Sequence, residues 1–253
     1  MSILIISDLH LSPERPAVTQ AFLDFLKNQA TEAKALYILG DLFEAWIGDD
    51  DPAPLSRQVI IALKTLIESG TALYVMHGNR DFMLGKRFVR ETGCTLLPDH
   101  YVTQLEGHKI LLLHGDTLCI DDEQYQKFRR KTRRPFFLWC LNRLPLSTRQ
   151  KIAENGRAKS QAVNANKSEN IMDVNTPEVE RLMEQYQVNT MIHGHTHRPN
   201  HHKHKNGERL VLGDWHQNGW YIRVTEKAEP ELISFAIESN TATNHQIAPI
   251  SDI

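Results

Sequence analysis

The chain has 253 residues, 41% of them hydrophobic and 24% charged, with a formal net charge of −2. That length and balance accommodate one large folded domain and exclude a disordered or fibrous chain. The near-neutral total gives no whole-chain sign of nucleic-acid binding, and no apolar stretch approaches the roughly 20 residues that a membrane-spanning helix needs.

The N-terminal "MSILIISDLH" runs directly into a strand-like segment, without the basic start and long apolar core of a secretory signal. Cys94, Cys119 and Cys140 are far apart and form no CxxC, which fits a reducing compartment. A cytoplasmic location is therefore expected.

"ILIISDLH" (3–10) is the first of five apolar runs that end in polar, ligand-type residues. Val18, Phe22, Phe25 and Leu26 follow at helical spacing. "ALYILGD" (35–41) is the second run; Asp49, Asp50 and Asp51 in "GDDDP" then read as a loop, and Leu55, Val59, Leu63 and Leu66 form another helical stripe. The third run is "ALYVMHGNRD" (72–81). "QLEGHKILLLH" (104–114) reads as a hairpin with Gly107-His108 at its turn, and its second arm is the fourth run, "ILLLHGD" (110–116). Val179, Leu182, Met183 and Tyr186 make a third helical stripe, opened by "TPE" with Thr176 as N-cap and Pro177 at the first helical position. "MIHGHTH" (191–197) is the fifth run.

Beyond it, "NHHKHK" (200–205) reads as a hairpin loop whose His201, His202 and His204 stay apart from any catalytic ion. "RLVLGD" (209–214), "WYIRV" (220–224) and "ELISFAI" (231–237) read as antiparallel strands, and the polar tail 241–253 as disordered. Apolar runs alternating with helical stripes predict an α/β fold, and ligands in such folds gather at the carboxyl ends of the strands.

Residues 121–170 have a different texture. From Lys127 to Lys167 there are twelve basic residues and one acid, Glu154, interleaved with Phe128, Phe136, Phe137, Trp139, Leu141, Leu144 and Leu146. The expectation is a helical insertion lying as a lid over the site, with residues 1–120 and 171–240 forming the core. A basic, aromatic-rich segment can clamp acyl chains or rest on an anionic bilayer surface. A nucleic-acid groove would spread its aromatics for base stacking, so no nucleic-acid partner is expected.

The five strand ends present Asp8 and His10, Asp41, Asn79, His114, and His195 and His197. Any one of them has an ordinary reading as a turn or cap. Together they form a mixed imidazole and carboxylate set suited to two ions of Mn²⁺, Fe²⁺ or Zn²⁺, with Asp41 able to bridge them. The order "DLH…GD…GNRD…HGD…GHTH" resembles the calcineurin-like metallophosphoesterase family. That resemblance implies a sandwich of two central β-sheets flanked by helices. It implies one ion on Asp8, His10, Asp41 and His197, a second on Asp41, Asn79, His114 and His195, and in-line attack on phosphorus by a metal-bound hydroxide.

Where many members of that family carry GNHE or GNHD, this chain has Arg80. An arginine cannot serve as a general acid near neutral pH, but it can fork onto phosphate oxygens. A phosphate leaving group needs little protonation, so Arg80 favours cleavage of a phosphoanhydride. The plainer reading pairs Arg80 with Asp81 as scaffold, with Asp81 holding the turn. Arg157, Ser160, Asn164 and Lys167 share one helical face and suit a polyanionic, hydroxylated ligand.

The longer strings "LYILGDLFEAWIGDDDP", "HGNRDF", "LLHGDTLCIDD", "IMDVN" and "IHGHTHRP" resemble the branch of that family formed by the UDP-2,3-diacylglucosamine diphosphatases of lipid A biosynthesis. The resemblance implies cleavage to UMP and 2,3-diacylglucosamine 1-phosphate, with Mn²⁺ as the preferred ion, at the cytoplasmic face of the inner membrane. It places Asn79, Arg80, Asp122, Ser160, Asn164, Lys167 and His195 on the glucosamine phosphate, with Tyr125 and Arg157 as neighbours. Phe82, Phe128, Phe137, Leu146, Ile171 and Met172 are candidates for acyl contact. "LGDWH" (212–216) departs from the pattern, since Asp214 stands where a small residue is expected. The competing readings are a phosphoesterase for soluble nucleotide anhydrides or other phosphodiesters, and a metal-stabilised binding module.

Overall fold

A computed structural model describes residues 2–164, 173–226 and 228–238. The polar tail 241–253, Lys167, Ile171 and Met172 lie outside the described residues, as do the side chains of Ser160 and Asn164. Two sheets pack face to face. The first holds, in spatial order, β11 (Ala228–Ala236), β10 (Asn218–Thr225), β1 (Ile3–Ile6), β2 (Ala35–Ile38), β3 (Ala72–Met76) and β4 (Thr95–Leu97). Strands β1 to β4 are mutually parallel, whereas β10 and β11 run antiparallel. The second sheet holds β5 (His100–Leu105), β6 (His108–Leu113), β7 (Thr190–His193), β9 (Gly207–Val211) and β8 (Asn200–His204). Its three inner strands are parallel and its two edge strands antiparallel.

Alternation along the strands builds the layers. Ile3 and Ile5 join Tyr37, Leu39, Ile110, Leu112, Ile192, Leu210 and Ile222 in the core between the sheets. Leu4 and Ile6 point the other way, into a core shared with α1 (Pro16–Asn28), α2 (Pro54–Glu68) and α3 (Lys86–Thr92). Leu111, Leu113 and Met191 face Val179, Leu182 and Met183 of α7 (Thr176–Tyr186) on the outside of the second sheet. Period 2 in a strand thus feeds two cores at once, which is why these strands read as continuous apolar runs.

The stripes in α1, α2 and α7 are the buried faces of those helices, apart from the partly buried Leu55 and Tyr186. The cap of α7 lies one residue earlier than expected. Asn175 accepts the Glu178 N–H at 3.0 Å, and Thr176 is already helical. The β5–β6 turn is likewise shifted, to Glu106-Gly107, because Glu106 itself adopts a left-handed φ of 48° and His108 pairs with Leu105. "NHHKHK" is not a loop: Asn200–His204 form the edge strand β8, paired with β9.

Residues 123–164 contain three helices, α4 (Glu123–Thr132), α5 (Pro135–Asn142) and α6 (Leu146–Asn164). No residue of α5 is buried. No described helix is long and apolar enough to cross a membrane.

Candidate metal centre

The loops that leave β1, β2, β3, β6 and β7 converge at the carboxyl ends of these strands. They are clipped together backbone to backbone. Asp8 N–H donates to Gly40 C=O at 3.1 Å, His10 N–H to Asp41 C=O at 2.9 Å and Gly194 N–H to His114 C=O at 2.8 Å. Asp81 is fully buried and its carboxylate accepts the N–H groups of Gly78, Asp41 and Leu42, so it joins the loops after β2 and β3. Burial and the neighbouring Asp41 push the Asp81 carboxyl above its ordinary range. Arg80 does not pair with it; the guanidinium turns to Glu44 instead.

The backbone here is strained. Asp8, His10, Asp41, His195 and His197 all have φ between 50° and 69°, in the left-handed region that costs a non-glycine residue about 1–3 kcal/mol. Glycine is required beside them. A Cβ on Gly78 would strike Asp41, and one on Gly194 would strike the Asp8 carboxylate. The missing Cβ atoms thus let the loops close until the polar atoms meet.

Asn79 Oδ1 lies 3.0 Å from His114 Nε2 and 2.9 Å from His195 Nδ1. His10 Nε2 and His197 Nε2 are 3.1 Å apart. Asp41 Oδ2 sits 3.9 Å from His10 Nε2 and 3.8 Å from His114 Nε2, midway between the two sides of the cluster. His114 Nδ1 lies 2.8 Å from the carbonyl of Leu39, its natural acceptor, which leaves the Nε2 lone pair facing Asn79 and Asp41. Among the described residues, two groups could hold an ion, Asp8–His10–His197 and Asp8–Asp41–His114, and they share Asp8. Five of the seven ligand candidates fall in these groups, and Asn79 and His195 reach them through His114; His201, His202 and His204 fall in neither group.

The donor set fits divalent cations on an observation independent of motif. Asp8 Oδ1 is buried without a hydrogen-bond partner, 3.5 Å from His197 Nε2. An orphaned buried carboxylate oxygen is costly unless a cation meets it. Burial by itself would raise the Asp8 carboxyl, but His197, His114 and His10 outweigh it and hold it far below its usual range. Burial pulls His195 down to about 4, so its imidazole stays neutral. For His114 and His197 burial is outweighed by the nearby carboxylates, and both are raised. Asp214 Oδ2, 3.9 Å from His197 Nδ1, contributes to that rise.

The surroundings hold residues that the sequence reading missed. Asp116 is buried and accepts from the Tyr125 hydroxyl at 2.6 Å and Arg129 Nε at 2.7 Å, with Arg133 Nη2 3.9 Å away. It pins α4 over the site, and Tyr125 stacks on His195 with ring centroids 6.1 Å apart. Arg133 also donates to Gly78 C=O at 2.7 Å and lies over the Phe82 ring. Glu44 meets Arg80, His10 and Arg157. Asp50 in the acidic loop pairs with Arg149 of α6. Asp116 stands two residues after His114 and Glu44 three after Asp41, and that proximity in sequence was the available signal. Asp122 caps α4 by accepting the Tyr125 N–H at 3.1 Å. Of the acyl-contact candidates, Phe128 is exposed, Phe137 and Leu146 are half-buried, and Phe82 packs against the helix-side core.

Residues 1–199 match the calcineurin-like phosphoesterase family. A protein of Pectobacterium carotovorum named UDP-2,3-diacylglucosamine hydrolase is 54% identical over 93% of this chain and 99% of its own. One of the same name from Pseudomonas fluorescens is 53% identical over 88% of this chain and 92% of its own. Among solved structures, an archaeal phosphodiesterase superposes with a TM-score of 0.50 at 12% identity, covering 93% of this chain and all of that one, a likeness of fold alone.

Proposed function

The chain belongs to the calcineurin-like phosphoesterases, and we propose that it hydrolyses the pyrophosphate bond of UDP-2,3-diacylglucosamine. Water adds across P–O–P, so that the products are UMP and 2,3-diacylglucosamine 1-phosphate, a step of lipid A biosynthesis. Two relatives above 50% identity carry that activity in their names. The observation that carries the reading is the convergence of seven ligand-type side chains with an arginine at their rim.

In this proposal Asp8, His10, Asp41 and His197 hold one Mn²⁺, and Asp41, Asn79, His114 and His195 hold the other. Bound divalent ions there would supply Lewis-acid charge and lower the pKa of a water molecule. Arg80 places a permanent cation at the rim, its Nε 3.9 Å from Asp41 Oδ2, where it neutralises charge on the departing phosphate. It does not have to give up a proton, because a phosphate leaving group needs little protonation.

Asn79, Arg80, Asp122, Ser160, Asn164, Lys167 and His195 bind the glucosamine phosphate, with Tyr125 and Arg157 as neighbours. Residues 121–170 serve as the lid. Phe136, Trp139 and Leu144 are exposed beside Arg134 and Arg143, a combination that suits the anionic cytoplasmic face of the inner membrane. Trp139 stacks on Phe136, and Arg143 lies 3.6 Å over the Trp139 ring.

The test is Mn²⁺-dependent turnover of UDP-2,3-diacylglucosamine beside p-nitrophenyl phosphate and dinucleoside polyphosphates. Preference for the lipid is expected. Good turnover of the soluble esters with none of the lipid would replace this reading with that of a soluble-anhydride phosphoesterase. Arg80→His should depress anhydride cleavage, and unchanged activity would reduce Arg80 to scaffold.

A further inference from the structure

We propose that Glu44 is a positioning residue of this centre: one carboxylate that orients a metal ligand through one oxygen and aims two substrate-facing arginines through the other. The inference rests on the reading above, in which His10 holds an ion and Arg80 and Arg157 face the substrate.

Glu44 leaves the loop after β2, and its N–H donates to Leu11 C=O at 3.0 Å, fixing it to the loop that carries Asp8 and His10. Its Oε2 lies 3.3 Å from His10 Nδ1, a buried nitrogen with no formed hydrogen bond among the described residues. The other ring nitrogen of His10, Nε2, faces His197 and Asp41. A proton on Nδ1 turned to Glu44 leaves the Nε2 lone pair for an ion, the usual division of labour in a histidine ligand backed by a carboxylate.

The second oxygen does different work. Glu44 Oε1 meets Arg80 Nη1 and lies 3.5 Å from Arg157 Nε, while Arg157 Nη2 reaches the Glu44 carbonyl at 3.4 Å. Arg80 comes from the loop after β3 and Arg157 from α6, so one carboxylate draws two guanidinium groups from separate elements to a single point. The trio carries one net positive charge. Holding both side chains there before substrate arrives spares the rotamer entropy of recruiting them. Exposed ion pairs do little of this kind, but the Glu44 side chain is only 20% exposed.

The experiment compares wild type, Glu44→Ala and Glu44→Gln in two readouts. Calorimetric titration of the metal-free chain with Mn²⁺ reports on His10, and KM for UDP-2,3-diacylglucosamine reports on the arginines. Glu44→Ala should weaken Mn²⁺ binding about 10–100-fold, as expected for loss of an outer partner, and raise KM. Glu44→Gln keeps an oxygen for His10 but no charge for the arginines. It should bind Mn²⁺ within about threefold of wild type while KM stays raised about tenfold, the size of one charge-assisted contact.

A loop anchor without these roles would lower the melting temperature of Glu44→Ala and leave both constants within twofold; that result overturns the proposal, as does recovery of both constants in Glu44→Gln. If Glu44→Ala does not fold, Glu44→Gln decides by whether KM rises with metal affinity kept. The Mn²⁺ titration needs no substrate. A wild type that binds Mn²⁺ but leaves the lipid intact therefore sinks the functional reading, and the metal arm still judges Glu44.

Discussion

The strand ends and the helices α4 to α6 face each other and are built on opposite terms. At the strand ends, Asp8, His10, Asp41 and His114 are buried, and the left-handed Asp8, His10 and Asp41 are held by backbone hydrogen bonds and close glycine packing. In the helices, Phe128, Phe136, Trp139 and Ile152 are exposed, and α5 buries nothing completely. The helices are tied to the core by polar anchors, Asp116 to Tyr125 and Arg129, Glu44 to Arg157, and Asp50 to Arg149, and by the partly buried Leu138 and Leu141 of α5. Strain can be stored where packing over-determines it. Under the proposed function the helices meet apolar chains, and such a surface has to keep apolar groups free. The chain places these demands in different elements.

The comparison breaks first at its rigid side. Asp41→Ala removes the carboxylate midway between the two sides of the cluster. Activity should fall by more than the roughly 100-fold upper bound for losing an outer-shell partner, and bound metal should drop. Elemental analysis together with the turnover assay checks this; full metal content with activity would refute the bridge.

Next in size is a pH effect behind the site. His193 is buried, with Nδ1 2.7 Å from Gly194 C=O and Nε2 3.0 Å from Arg209 Nη1, and burial together with that guanidinium pulls it down to about 3. Its folded pKa lies below the unfolded value of about 6.5, so between the two the unfolded chain binds more protons. Stability of the metal-free chain should therefore fall as pH drops below about 6.5, by roughly 1.4 kcal/mol per unit for this one proton. Urea unfolding between pH 6.5 and 5 measures it, and His193→Asn should remove about one proton from the slope.

The strand ends were legible residue by residue, and of the helices only their helical, basic and aromatic character was, for a physical reason. A strand buried on both faces has to be a continuous apolar run, so the polar residue that ends it stands out: Asp8, Asp41, Asn79, His114 and His195 were each found this way. Asp81 occupies the turn-holding place its position implied, through three backbone N–H groups. What stayed hidden depends on pairing between distant residues. β8 has no apolar residue at all, and only its register with β9 makes it a strand. Glu44, Asp50 and Asp116 look like ordinary loop acids until Arg157, Arg149 and Arg129 arrive from the helices. Thr176 yielded the cap to Asn175, since either residue can accept an N–H and only backbone geometry chooses.

The helices give smaller effects. Trp139→Ser with Phe136→Ser should weaken binding to vesicles of anionic phospholipid about tenfold, since burying one large aromatic contributes about 1.5–3 kcal/mol and two rings that stack on each other share that gain. Turnover of detergent-dispersed substrate should change little. Equal losses in vesicles and detergent would instead assign both rings to substrate binding.

The smallest effect tests whether the two regions are anchored independently. Arg149 is almost fully buried and gives both terminal nitrogens to the Asp50 carboxylate, while also donating to Ile47 C=O at 2.6 Å and Leu144 C=O at 3.0 Å. The hydrogen bonds from Arg149 hold Asp50 below its ordinary range. A depressed carboxyl contributes stability above its unfolded value near 3.9 and loses it only as pH falls through the lower folded value, so the anchor is intact at neutral pH. Asp50→Asn keeps the shape and one side-chain acceptor, leaves Arg149 its bonds to the Ile47 and Leu144 carbonyls, and loses the charge. Because Asp50 is largely exposed, the cost should stay below about 1 kcal/mol. That corresponds to a rise of no more than about fivefold in amide exchange across the first half of α6, with β1 and β2 unchanged. Faster exchange in those strands as well would mean that the helices brace the site, and the division between a rigid centre and a loosely tied cover would fail.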